Sequence, residues 1–218
     1  MQAALSFYGT AVGKKMVVAV TGLFLFLFLL IHMLGNLQLF AGPEALNHYA
    51  AFLHSKPVLV WGFRVLVAGA FALHILATLQ LFLQNLGARP VPYRVKRTVE
   101  IDYSSRTMIW SGPLVLLFLL YHLLHLTVGS VHPDFSAGDV YRNVVTAFSL
   151  WPVAAVYIGA NLLLGFHLKH GLWSWFQTLG LAHPRYNRWR NCFAWLLALL
   201  LATGNIAMPV AVLAGWVD

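Results

Sequence analysis

Four histidines lie at matched positions in four successive apolar stretches of the chain: His32, His74, His122 and His167. An imidazole is rare and costly in the hydrocarbon of a bilayer unless it has a partner. Neutral imidazole is also a common ligand of transition metals through either ring nitrogen. One such histidine would be interpreted as a satisfied core residue, but four at equivalent positions predict metal-binding sites inside a membrane.

The elements that must position these side chains are membrane-spanning helices. Of the 218 residues, 60% are hydrophobic and 9% are charged, whereas soluble proteins have about a quarter of their residues charged. A helix needs roughly 20 apolar residues to cross a bilayer, and five stretches qualify: 16–40, 58–83, 108–128, 151–176 and 191–213. The first is too long for the apolar region of a signal peptide, about 7–15 residues, so we expect it to be retained. The sequence predicts an all-α fold, with residues 1–218 forming a single membrane domain.

Cations concentrate in the connections on one side of the predicted bundle: Lys14, Lys15, Arg89, Arg94, Lys96, Arg97, Arg106, Arg185, Arg188 and Arg190. The opposite connections hold only Lys56 and Arg142 as cations. Because loops rich in Lys and Arg stay in the cytoplasm, we expect a cytoplasmic N-terminus and an external Asp218. The basic side is also a candidate docking surface for a soluble partner. Nucleic-acid binding is not expected, because the basic residues form no separate domain.

Helix geometry sorts the four histidines into two layers. Each lies sixteen or seventeen residues beyond its entry point at Lys15, Pro57, Arg106 or Trp151. At about 1.5 Å per residue, His32 and His122 lie roughly 25 Å from the inner surface. His74 and His167, on helices that run the other way, lie roughly 25 Å from the outer surface. In a core of about 30 Å this predicts an outer and an inner pair about 20 Å apart, or less with helix tilt.

Only two residues of one layer can bind opposite faces of one flat macrocycle, so the pairs predict two haem groups. His32 with His122 would hold the outer haem iron, and His74 with His167 the inner. Bis-histidine ligation leaves no open coordination position, so such iron carries electrons and does not bind substrate directly. The single cysteine, Cys192, excludes a covalent C-x-x-C-H attachment and a cysteine-ligated iron–sulfur cluster within this chain.

The histidine spacing also indicates an internal repeat. His32 and His74 are 42 residues apart, and His122 and His167 are 45 apart. The first two spans and the next two therefore resemble each other, and both pairs enter from the inside. This is the pattern of a parallel repeat about an axis along the membrane normal.

Further histidines complicate the choice of ligands. His125 and His170 follow His122 and His167 by three residues, so they share a helix face with them. We expect these two to serve a haem propionate or a water more readily than iron. His48 and His54, in the outer connection, are either solvated residues or contacts for a propionate or quinone, whereas His132 and His183 are interpreted as loop residues.

Three segments of the chain carry a family resemblance: GKKMVVAVTGLFLFLFLLIHMLGN, YRVKRTVEIDYSSRTMIWSGPLVLLFLLYHLLHL and GFHLKHGLWSWFQTLGLAHPRY. With them, the chain resembles the five-helix, di-haem cytochrome b membrane anchor of succinate:quinone oxidoreductases, over nearly its whole length. In that family four helices each give one axial histidine, and the motifs place these at His32, His74, His122 and His167. Some members have another residue where His170 stands, so the resemblance disfavours His170 as a ligand.

The resemblance implies two haem b groups and a quinone, with menaquinone favoured. FAD and iron–sulfur clusters would lie only in a flavoprotein subunit and an iron–sulfur subunit on the cytoplasmic face of a prokaryotic membrane. Electrons from succinate would then reach the inner haem, the outer haem and finally quinone. Electrons leaving a negative interior gain about 2.3 kcal/mol per 100 mV, which would help to reduce a low-potential quinone. One branch of the family moves protons through membrane glutamates, but no Asp or Glu lies inside a predicted span here.

Other functions remain open from the sequence. One is the haem anchor of another quinone-linked oxidoreductase, of the nitrate reductase or hydrogenase type. In the nitrate reductase anchor both haems lie between the same two helices, which the four separate histidine spans disfavour. Another is a histidine-based metal transporter, which should show intramembrane acids or broken helices at a midplane site. A haem-free anchor would leave four buried imidazoles unexplained.

Overall fold

The computed structural model describes residues 2–88 and 103–218, and within these ranges the chain is helical without strands. The helices are α1 (Gln2–Gly9), α2 (Ala11–Asn36), α3 (Pro43–His54), α4 (Pro57–Gly87), α5 (Tyr103–His122), α6 (Val140–Ser149), α7 (Trp151–Thr178) and α8 (Asn187–Leu213). Single turns over Leu37–Ala41 and Pro184–Tyr186 are 3₁₀, and Leu123–Val128 forms a π-turn. By length and composition, the five long helices can each cross a membrane. The expected all-α fold with five spans is confirmed.

The spans extend beyond the apolar windows that predicted them. α2 starts five residues before the expected span at residue 16, and α4 continues to Gly87. Basic residues can occupy these extra turns because their side chains reach polar groups. Lys14 is buried in α2, and its Nζ donates to the Gly9 carbonyl at 3.0 Å. Arg106 lies in α5, whereas the predicted basic residues Arg89, Arg94, Lys96 and Arg97 lie outside the described residues.

Local sequence sets where the long helices begin and end. The Thr10 hydroxyl accepts from the Gly13 N–H at 3.0 Å and caps the start of α2. Proline at the first turns of α4 and α7 fits positions whose N–H has no helical partner. Gly129, with φ of 80°, ends the π-turn after α5 in the left-handed conformation that glycine adopts without strain.

The centre of the bundle is the contact of α7 and α8 with α2. A Cβ on Gly165 of α7 would lie only 3.3 Å from the Ala202 Cβ of α8, so glycine permits this close helix approach. The buried apolar cluster at this contact comprises Phe26, Met33, Leu168, Leu172, Ala194, Ala198 and Leu201. Small residues on α8 and larger ones on α2 and α7 therefore hold these three helices together.

The remaining two spans are peripheral, and the bundle divides into two halves. α4 packs on α2, and α5 packs on α7, whereas α4 and α5 make no comparable contact with each other in the described part of the chain. Only 6% of the most apolar stretch of α4 is buried inside the structure, and the share is the same for α5. For α8 the share is 39%. The first half is thus α2 with α4, and the second is α5 with α7 and α8.

One end of the bundle is covered by the short helices α3 and α6, which lie where loops were expected. Their polar side chains form hydrogen bonds above an apolar cluster. Asn47 of α3 donates to the Asp139 carboxylate at 2.9 Å and accepts from the Tyr141 N–H at 3.0 Å. The Tyr141 hydroxyl donates to the Asp218 carbonyl at 3.0 Å. Beneath these bonds lies an apolar cluster that includes Leu39, Leu46, Phe148, Met208 and Val212. We call this the α3/α6 end; the charge pattern predicts that it faces outside.

Replacing Asp139 by alanine is expected to destabilise the α3/α6 end by about 1 kcal/mol, the usual cost of losing an N-cap side chain. The backbone N–H of Arg142 and the amide of Asn47 hold the pKa of the Asp139 carboxyl below its usual range. The carboxylate therefore stabilises the fold at neutral pH, and this contribution is lost as pH falls through the lowered pKa. Thermal unfolding in detergent over a descending pH series measures both effects.

Asp139→Asn is the matched control, because its amide oxygen can still cap α6 but does not titrate. The difference in unfolding temperature between wild type and Asp139→Asn should shrink as the pH falls. A difference that stays constant across the series would contradict this role for Asp139.

Candidate metal centres

The structure brings His32 of α2 and His122 of α5 together. Their ring centroids are 5.9 Å apart, and the ring planes are perpendicular. A metal–nitrogen bond is about 2 Å long, and each nitrogen lies about 1 Å from the centre of its ring. Two imidazoles on opposite sides of one metal therefore have ring centres about 6 Å apart. The separation of His32 and His122 therefore suits one metal ion between them.

His74 of α4 and His167 of α7 form the second pair. They lie at one level of the bundle, because Thr21 beside His74 and Ser111 beside His167 each stand eleven residues before the histidine of their own helix, His32 or His122. Each ring also meets a hydroxyl through Nδ1: His74 meets Thr21 Oγ1 at 3.0 Å, and His167 meets Ser111 Oγ at 3.4 Å. No hydrogen bond to the Nε2 atom of either ring is present among the described residues.

The Thr21 contact fixes which nitrogen of His74 carries the proton. Thr21 gives its single hydroxyl proton to the Val17 carbonyl at 2.7 Å. Its oxygen must then accept from Nδ1–H of His74. Neutral His74 consequently keeps its lone pair on Nε2, which is the form that can ligate a metal. The neighbouring Gly22 leaves room for this ring, since a Cβ there would lie 3.2 Å from Cε1 of His74.

The hydroxyl contacts follow the internal repeat. Thr21 lies eleven residues before His32 on α2, and Ser111 lies eleven residues before His122 on α5. Eleven residues complete about three helical turns, so each hydroxyl and the histidine of its own helix lie on one face. The sequence analysis did not single out these hydroxyls, although a Ser or Thr at this repeated spacing was a signal that could have found them.

These contacts also measure the distance between the two layers. Thr21 lies level with His74, Ser111 with His167, and Tyr157 with His122. Ten or eleven residues along α2, α5 and α7 then separate the layers, which corresponds to about 15–16 Å. The value is smaller than the 20 Å expected from the span ends, because the helices do not start at one common level.

Tyr157 of α7 contacts both histidines at the end of α5. Its hydroxyl oxygen lies 3.4 Å from Nδ1 of His122 and 2.9 Å from Nδ1 of His125. His125 is completely buried, and its Nε2 has no hydrogen-bond partner among the described residues. His132 lies in the loop after the π-turn, as predicted, and it is buried, with its ring stacked on that of His125 at 5.0 Å.

The other histidines lie apart from the two pairs or beside them. His48 and His54 are exposed on α3, and Nδ1 of His54 bonds to its own helix at the Ala50 carbonyl, 2.8 Å away. His170 is half-buried and close enough to His167 for their charges to interact. His183 is exposed, and its Nδ1 accepts from the Arg185 N–H at 3.2 Å.

Two cations within the membrane-spanning helices, Lys169 and Arg64, were not singled out from the sequence, whereas Arg190 was expected in a basic connection and lies in α8. Lys169 of α7 is buried, with its Nζ 5.5 Å from the ring centre of Trp195. Arg190 of α8 is buried with its guanidinium 4.3 Å from the ring centre of Trp173. Arg64 remains exposed on α4. Lys169 and Arg64 fall inside predicted apolar spans, and that position was the available signal.

Each histidine pair takes one member from each half of the bundle. α2 and α4 supply His32 and His74, whereas α5 and α7 supply His122 and His167. Within residues 2–88 and 103–218, no three His, Cys, Asp or Glu side chains form a cluster that could hold a bare ion. The four histidines are instead arranged in pairs. The Nδ1 atoms of His74, His122 and His167 each contact a hydroxyl oxygen. This donor set fits the binding of a planar metal cofactor by two imidazoles.

Comparisons of this chain with protein-family models, with curated proteins and with solved structures find no match. The family resemblance consequently rests on the sequence motifs alone. The interpretation of the histidines as ligands rests on their pairing, their positions in the spans and their hydrogen bonds.

Replacing Thr21 by valine is expected to weaken the tautomer preference of His74, because valine has the same shape but removes one acceptor and leaves only the Val18 carbonyl. In wild type, ¹⁵N NMR of histidine-labelled protein should show His74 protonated at Nδ1 and not at Nε2, with or without bound metal. Thr203→Val is the matched control, since that exposed hydroxyl donates to the Leu199 carbonyl at 2.7 Å. An unchanged His74 spectrum in Thr21→Val would contradict the assignment.

Proposed function

We propose that this chain is a di-haem b membrane anchor that carries electrons between a soluble redox partner and membrane quinone. The observation that carries the proposal is the arrangement of two half-buried histidine pairs, one per layer. His32 and His122 would hold one haem, and His74 and His167 the other. Haem b held by two imidazoles supplies one-electron transfer without an open coordination position.

The hydrogen bonds around the histidines favour haem ligation over a purely structural role. A ligating histidine usually gives its second ring nitrogen to a fixed acceptor, which sets its tautomer and orientation. Thr21 acts in this way on His74, and Ser111 and Tyr157 contact the same nitrogen of His167 and His122. His132, for comparison, uses both ring nitrogens for hydrogen bonds to the backbone.

The sequence motifs make the soluble partner the flavoprotein and iron–sulfur subunits of a succinate:quinone oxidoreductase. The chain would be the membrane-embedded part of that enzyme, and the active site for succinate would lie entirely in the flavoprotein. The basic end that includes Lys14, Lys15 and Arg106 would face the cytoplasm of a prokaryotic cell and dock the partners. FAD and iron–sulfur clusters would be confined to those partners, and menaquinone is the favoured quinone.

Ligands drawn from four helices separate this proposal from the nitrate reductase type, in which two helices hold both haems. The test is purification of the native complex, followed by a dithionite-reduced spectrum, a haem assay and identification of its subunits. We expect a b-type spectrum, two haems per chain, and flavoprotein and iron–sulfur subunits. Subunits of a nitrate reductase or hydrogenase would replace the partner assignment, and a colourless preparation with bound zinc would refute haem ligation.

Replacing single histidines by leucine is expected to remove the haems selectively, because loss of one axial ligand weakens only its own site. His32→Leu and His122→Leu should abolish one spectral component, and His74→Leu and His167→Leu the other. His48→Leu, at an exposed position on α3, should retain both. Reduced-minus-oxidised spectra of the purified variants measure this, and loss of the same component from His32→Leu and His74→Leu would disprove the pairing.

A further inference from the structure

One hydroxyl serves two histidines near the α3/α6 end. The Tyr157 oxygen lies 2.9 Å from Nδ1 of His125 and 3.4 Å from Nδ1 of His122. Tyr157 is 5% exposed and His125 is fully buried, so water does not satisfy these atoms. A phenol has one proton and can donate it to only one ring, so it accepts from the other. The choice decides whether His122 can be a ligand.

The distances favour donation of the Tyr157 proton to His125. Hydrogen bonds from O–H donors are shorter than those from N–H donors, and the His125 contact is the shorter one. His122 then donates Nδ1–H to the tyrosine oxygen, and its Nε2 keeps a lone pair for iron. In the reverse arrangement, neutral His122 would carry its proton on Nε2 and could not ligate.

The surroundings of His125 leave Tyr157 as its only hydrogen-bond partner among the described residues. Its ring lies nearly parallel to those of Tyr121 and His132, with centroids 5.1 Å and 5.0 Å away. His132 offers it no hydrogen bond, because Nδ1 of His132 accepts from a backbone N–H and Nε2 donates to the Asn143 carbonyl. The only hydrogen bond to the His125 ring in the described structure is therefore the one from Tyr157.

An unusual backbone feature accompanies this arrangement. The π-turn Leu123–Val128 begins directly after His122 and contains His125. Such turns are rare and occur frequently at functional sites. The two histidines, three residues apart across the start of the turn, both reach the single hydroxyl of α7.

We propose that Tyr157, with His125 as its acceptor, is a positioning residue that fixes and tunes His122 as an axial ligand. This inference rests on the proposed function. A hydrogen bond accepted from Nδ1–H makes the ligand more basic, and a more basic axial ligand stabilises ferric iron and lowers the reduction potential. No hydroxyl contacts His32 among the described residues, so the adjustment of this haem comes from the His122 side.

Optical redox titration of the purified native complex tests the proposal. Tyr157→Phe should raise the midpoint potential of the haem on His32 and His122, leave that of the other haem unchanged, and retain two haems per chain. Tyr121→Phe is the matched control, because it removes a hydroxyl from a ring beside His125 that bonds to neither histidine Nδ1. Both potentials should stay at their wild-type values in that variant.

A second variant keeps the test decisive if Tyr157→Phe loses the haem. His125→Phe preserves the aromatic stack but removes the acceptor, so the Tyr157 proton no longer has a fixed direction. The same potential should shift upward. Unchanged potentials, or a downward shift, in a variant that retains both haems would overturn the positioning role. A wild-type complex without haem would refute the proposed function instead.

Discussion

The structure depends on satisfying imidazoles in a medium that offers them no water. A polar group left alone in hydrocarbon costs several kcal/mol, so each buried ring needs a neighbour of fixed position. Thr21 meets this need across the contact of α2 with α4, and Ser111 meets it across the contact of α5 with α7. Apolar helix faces can slide past one another at little cost, whereas these bonds set one register. They fix the depth of His74 and His167 within each half.

The arrangement also explains the different roles of the five spans. α8 gives no paired histidine, yet it is the most buried span and contacts α7 through small residues such as Gly165 and Ala202. Association of helices in lipid relies on such close packing. With α7 and α2 held by α8, the helices α4 and α5 can remain peripheral. Their histidines still reach inward to the two layers.

The sequence predicted much of this fold because a bilayer restricts the possibilities. Five spans followed from apolar length, and the pairing of His32 with His122 followed from depth alone. The hydroxyl partners and the role of His132 were missed, because they depend on which side chains meet across helices. The distance between layers was overestimated, since span ends give only an approximate level for each helix. Short helices such as α3 and α6 were also missed, because their amphipathic patterns are brief and lie between much stronger apolar signals.

The division into two halves has a consequence for biosynthesis. During translation, α2 and α4 enter the membrane before α5 and α7 exist, and each histidine pair needs one member from each group. If the pairs bind haem as proposed, neither could close around it until its member on α5 or α7 has left the ribosome and that span has been inserted. The contact of Thr21 with His74 lies wholly within the part made first. The nascent chain can therefore hold that imidazole with its proton on Nδ1 before α5 and α7 are made.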